Sequence, residues 1–161
     1  MSESELRGNS FGDLEIGQCA EFSKQLTPEL IDMFAAVSGD LNPVHLDESY
    51  AASTAFGERI GHGAWVVGVV SAALAMRLPG PGAIYRSQQI RFREPVKIGD
   101  TITVVLEVVS KKERSRLAEI DCKVSNQHGK LVAQGTAEVI APIEPVNTPM
   151  PQVPRFVSTA V

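Results

Sequence analysis

The pattern of apolar positions changes character near residue 80. Beyond it, 84-IYRSQQIRFRE-94, 101-TITVVLEVVSK-111, 115-SRLAEIDCKVS-125 and 131-LVAQGTAEVIA-141 alternate apolar with polar residues or run rich in β-branched ones. The stretches PVKIGD, KKER and NQHGK separate them. A period of two with such connectors predicts four strands, because successive side chains of a strand point to opposite faces. The connectors are too short for crossover helices, so neighbouring strands are expected to run antiparallel. Before residue 80 the period is mostly helical. Thr27, Pro28 and Glu29 form a helix start, Leu30, Ile31, Phe34 and Val37 recur at helical spacing, and Gly39 supplies a left-handed stop. Pro43 keeps Asn42 out of the α region, which predicts a sharp turn from Asp40 to Val44, and Asp47 caps a short helix over 48–52. The stretch 13-DLEIGQCAEFS-23 alternates like an entering strand or a strand-like loop.

From Ala64 to Met76 the chain is apolar apart from one serine, and Arg77 and Pro79 end the run. That length suits a buried core helix, whereas a membrane span needs about 20 residues. Its small residues Ala64, Gly68, Ser71, Ala72 and Ala75 allow close approach to a sheet. The predicted sheet needs an apolar cover, and no other helix is large enough to supply it. A curved antiparallel sheet wrapped around one long apolar helix is the hotdog arrangement, of the α+β class. The expected organisation is a mobile arm over 1–12, a single hotdog domain over 13–141, and a Pro-punctuated tail over 142–161 that is extended or disordered.

A length of 161 residues suits one core, and a formal charge of −4 argues against a nucleic-acid partner. The opening residues MSESELRGNS carry no apolar stretch that reads as a secretory signal, and no Arg-rich transit pattern, so a cytoplasmic location is expected. Cys19 and Cys122 lack metal or redox spacing and are expected to be small buried hydrophobes.

Three histidines are available for chemistry. His128, in the connector NQHGK, reads as a solvated turn residue. His45 lies five residues after Asp40 on the predicted turn, a spacing that brings a carboxylate and an imidazole into one cleft. Turn and cap duty accounts for the same residue types. What shifts the weight is 57-GERIGHGAW-65, where His62 and Gly63 stand at the start of the apolar helix. Helix starts present free N–H groups to polarised oxygens, and an acid/base pair beside such a site is the equipment of carbonyl chemistry.

With 39-GDLNPVHLD-47, 60-IGHG-63 and IYRSQQIRFREPVKIGDTI from residue 84, the chain resembles the MaoC-like, (R)-specific enoyl-CoA hydratases, which carry a D-x-N-P-x-H signature on a hotdog fold. The resemblance spans roughly residues 13 to 141. It implies that Asp40 and His45 are the catalytic pair and that Asn42 fixes the Asp40 loop. It also implies that the Gly63 N–H receives the thioester oxygen, with Asn42 and His62 beside it. The implied substrate is an acyl-CoA or acyl-carrier-protein thioester, with no cofactor and no metal, and the implied assembly is a homodimer with sheets side by side. Gly68 stands where some members carry serine, which implies a wider acyl pocket or a shifted preference. Three alternatives stay open: a non-haem iron site from 45-HLD-47 with His62, a thioesterase, and a non-catalytic acyl-CoA-binding subunit. Arg86, Arg91, Arg93 and Lys97 have the charge to meet CoA phosphates, but on alternating strands such residues are more often a solvated face. Trp65 and Tyr85 read as packing residues.

Overall fold

The computed structural model describes residues 5–153 and 156. In chain order the elements are β1 (Glu5–Arg7), β2 (Cys19–Gln25), α1 (Pro28–Ser38), α2 (Pro43–Leu46), α3 (Glu48–Ser53), α4 (Gly63–Met76), β3 (Ile84–Phe92), β4 (Thr101–Lys112), β5 (Leu117–Ser125), β6 (Leu131–Ile140) and β7 (Asn147–Pro149). Among the described residues, no helix is long and apolar enough to cross a membrane.

Strands β2 to β6 form one antiparallel sheet in the order β2-β4-β5-β6-β3, with α4 against one face in the hotdog arrangement. The period of two does the work expected of it. On β4, Ile102, Val104, Leu106 and Val108 are fully buried, while the residues between them are only partly covered. On β5, Ala118, Ile120, Cys122 and Val124 repeat the pattern. These rows meet Trp65, Val66, Val69, Val70, Ala73 and Leu74 of α4. Each buried Val or Leu side chain contributes about 1.5–3 kcal/mol, so this contact is the main source of stability.

Four expectations are corrected. Strand β3 does not lie beside β4 but at the opposite edge, against β6. Three strand spacings separate β3 from β4, about 14 Å. Residues 93–100 reach about 26 Å when extended, enough to cross that distance without a helix. The entering strand starts at Cys19 and not at residue 13, because two tight bends precede it. Asp13 accepts hydrogen bonds from the Ser10 backbone and hydroxyl at 3.0 and 2.6 Å, and Gly17 takes φ +86°. Next, α4 is not covered all round: Ala64, Gly68 and Ala75 are exposed, since one sheet shields only one side of a helix. Finally, Cys19 is exposed on edge strand β2, while Cys122 is buried.

From Glu5 onward the expected arm is packed on the domain. Glu5–Arg7 pairs antiparallel with Asn147–Pro149, Leu6 is buried, and Phe11 joins the core. The Gly8 and Phe11 N–H groups donate to Val146 and Pro142 at 2.8 Å each. The extended tail is thus the arm's partner. Residues 1–4 of the expected arm, and 154–155 and 157–161 of the expected tail, lie outside the described residues.

Candidate active site

The turn that closes α1 is built from short side chains bonding nearby backbone. The Thr27 hydroxyl caps the helix by accepting from the Leu30 N–H at 3.4 Å, and Gly39 ends it at φ +76°. A side chain at that φ is strained, which is why the stop is glycine. The Asp40 N–H then donates to the Ser38 hydroxyl at 3.2 Å, and the Asn42 N–H donates to Asp40 Oδ1 at 3.2 Å. Asn42 Oδ1 accepts from the Val44 N–H at 3.3 Å, with Pro43 first in α2. Asn42 therefore shapes the loop, and its side-chain oxygen is directed to the start of α2.

These bonds leave the second carboxylate oxygen of Asp40 pointing at His45. Asp40 Oδ2 lies 4.0 Å from His45 Nε2, with the histidine side chain 10% exposed and the aspartate 50%. On the other side of the ring, Nδ1 lies 2.8 Å from the Ile60 carbonyl. A carbonyl only accepts, so Nδ1 carries the proton in the neutral ring and Nε2 turns a lone pair toward Asp40. Two acceptors cannot bond each other, but a separation of 4.0 Å has room for one water, about 2.8 Å from each, that can donate to both.

His62 is arranged differently from the substrate-binding role that the resemblance implies. It is 1% exposed, its Nε2 donates to the Asp40 carbonyl at 3.0 Å, and its ring stacks on His45 with centroids 3.8 Å apart. Phe34 covers it at 4.9 Å, and Nδ1 is buried without a hydrogen-bond partner. His62 therefore supports the pair from behind.

Gly63 opens α4, so its N–H is one of the helix-start donors that have no partner within the helix. It lines a cavity of about 290 Å³ together with His45, Phe56, Ile60, Val66 and Phe92. A Cβ on Gly63 would stand 3.2 Å from the Phe92 ring, so glycine keeps this approach open. Gly68 is exposed on α4 and does not line this cavity, so within the protomer its lack of a side chain does not widen it.

The sequence reading missed Arg59. Its Nε donates to the His45 carbonyl at 2.6 Å and its Nη2 to Asp32 of α1 at 3.2 Å. With the Ile60 N–H donating to Val44 and His45 Nδ1 donating to Ile60, the strip 59–62 is laced to the turn 40–45. Nothing in the local pattern signals a bond across 14 residues. The iron alternative placed its carboxylate at Asp47, but that group caps α3 by accepting from the Tyr50 N–H at 2.9 Å. Asp40, His45 and His62 are the three that converge, each offering one ligand atom within 4.8 Å of the others. Two of the four ring nitrogens are already committed to carbonyls.

Comparison with known proteins agrees over most of the chain. The model of the MaoC like domain matches residues 13–130. A 3-hydroxybutyryl-CoA dehydratase of Methylorubrum extorquens is 44% identical over 141 residues, covering 86% of this chain and 87% of that protein. An (R)-specific enoyl-CoA hydratase of Rhodospirillum rubrum is 40% identical over 144 residues, covering 88% and 98%. Among solved structures, the unliganded R-hydratase PhaJ1 from Pseudomonas aeruginosa superposes with a TM-score of 0.92 at 43% identity, covering 97% of this chain and all of that one.

Proposed function

We propose, for a chain that belongs to the MaoC-like domain family, that it is an (R)-specific enoyl-CoA hydratase. It adds water reversibly across the 2,3 double bond of a trans-2-enoyl-CoA and yields an (R)-3-hydroxyacyl-CoA. The observation that carries the reading is the pair of acceptors, Asp40 Oδ2 and His45 Nε2, set 4.0 Å apart beside a cavity that Gly63 also lines. In this reading the pair holds one water. As the water oxygen bonds to C3, the pair takes one of its protons and a proton is delivered to C2, so H and OH are added with no net proton change. Asp40 and His45 act as one unit, since both acceptors face the same water position. Charge that moves onto the thioester oxygen is met by the Gly63 N–H at the positive end of α4. His62 and Arg59 hold the pair in place.

We also infer a homodimer. Strand β3 is a sheet edge with exposed Ile84 and Phe92, and α4 carries the uncovered Ala64, Gly68 and Ala75. An unpaired edge with apolar ends beside an apolar helix face invites a second copy.

The test is substitution of the pair. Asp40→Asn and His45→Ala should each lower the hydration rate of crotonyl-CoA by about 10² or more, with the circular-dichroism spectrum unchanged. Near-wild-type turnover by either variant would remove that residue from the mechanism.

A further inference from the structure

Arg93 lines two concavities. One is the cavity that holds His45 and Gly63; the other is a groove of about 730 Å³ on the outer side of the sheet. The groove crosses β3, β6 and β5, where the register sets Gln89, Thr136 and Asp121 in one row and Arg91, Gln134 and Lys123 in the next. It therefore gathers three cations against one carboxylate, in a chain whose formal charge is −4. Asp121 meets Lys123 at 3.3 Å, but Arg91 and Arg93 have no carboxylate partner among the described residues. Neighbouring cations are spent otherwise, Lys97 on Glu58 at 2.5 Å and Lys130 on Glu94 at 3.0 Å.

We propose that this groove is the subsite for the phosphate-bearing nucleotide end of coenzyme A, with Arg91, Arg93 and Lys123 as its anion ligands. The inference rests on the acyl-CoA reading above and extends it to residues outside the acid/base pair. Guanidinium groups pair with phosphate through two parallel hydrogen bonds, and unpaired ones on a concave wall suit such a ligand. Gln89, Gln134 and Thr136 add neutral donors and acceptors for a sugar and a base. The groove's size falls among small-molecule sites, about 300–1,000 Å³, whereas a carrier-protein partner requires a broader surface.

The experiment compares crotonyl-CoA with crotonyl-pantetheine, which lacks the nucleotide, in the wild type and in the Arg91→Gln/Lys123→Gln double variant. Calorimetric titration of both proteins with adenosine 3′,5′-bisphosphate gives a readout that needs no turnover. The expected result is a wild-type preference for the CoA thioester in kcat/KM that falls about tenfold or more in the variant, and bisphosphate binding that weakens in parallel. An unchanged preference, or bisphosphate binding that the variant leaves intact, would overturn the proposal. So would a variant whose kcat/KM falls only toward an acyl-carrier-protein thioester, which would assign the cations to a protein partner. A wild type inactive on both small thioesters would defeat the hydratase reading itself, and the titration would still judge the groove.

Discussion

Asp40 and His45 are five residues apart in sequence, yet their pairing depends on groups far from both. Gly39, Asn42 and Pro43 were legible as the makers of the turn because each does something local to the backbone. The orientation of the imidazole was not legible, because it depends on the Ile60 carbonyl, 15 residues away. His62 shows the same limit: the sequence put it at the right helix start, but only the packing turns its ring back onto His45 and the Asp40 carbonyl. Arg59 offers the sharpest test at this scale, since it bonds the backbone of His45 without itself lining the cavity. Lysine cannot reproduce the planar fork that bonds a carbonyl and a carboxylate together. Arg59→Lys should lower kcat for crotonyl-CoA by about tenfold with a smaller change in KM, as displacement of a reacting group by a fraction of an ångström does. Unaltered steady-state kinetics would show that the bond is dispensable.

At the scale of elements, what could be read followed from period and capping. The helix over 28–38, the apolar helix and the four later strands appear within a few residues of their expected bounds, because alternation and caps are properties of contiguous sequence. The first sheet strand was misplaced by six residues, because DLEI alternates as a strand does while Ser10 and Gly17 bend the backbone there. The two cysteines separate the elements cleanly. Burial pushes the Cys122 thiol on β5 up to about 12, with the Asp121 carboxylate adding to it, while Cys19 stands exposed on β2. The thiolate is the reactive form, so a thiol reagent at neutral pH should label one cysteine in the native protein and two after denaturation. Rapid native labelling of both would mean that β5 opens readily and that the α4 contact is weaker than its burial suggests.

For the whole molecule, composition and pattern were enough for the hotdog arrangement but not for its wiring. Nothing in a strand's own sequence says that β3 crosses to the far edge, or that Glu5–Arg7 finds Asn147–Pro149, since both depend on the path of connecting segments. The uncovered face of α4 and the free edge of β3 become visible only once the sheet is assembled. Light scattering in dilute solution should give twice the 17.3 kDa chain mass; a monomer that is fully active would remove the second copy from the account. The most direct test of the central claim is incubation of the wild-type protein with crotonyl-CoA, with chiral analysis of the thioester product. The prediction is a reversible loss of the enoyl thioester with accumulation of the (R)-3-hydroxy product alone; an (S) product, or release of free CoA without hydration, would contradict it.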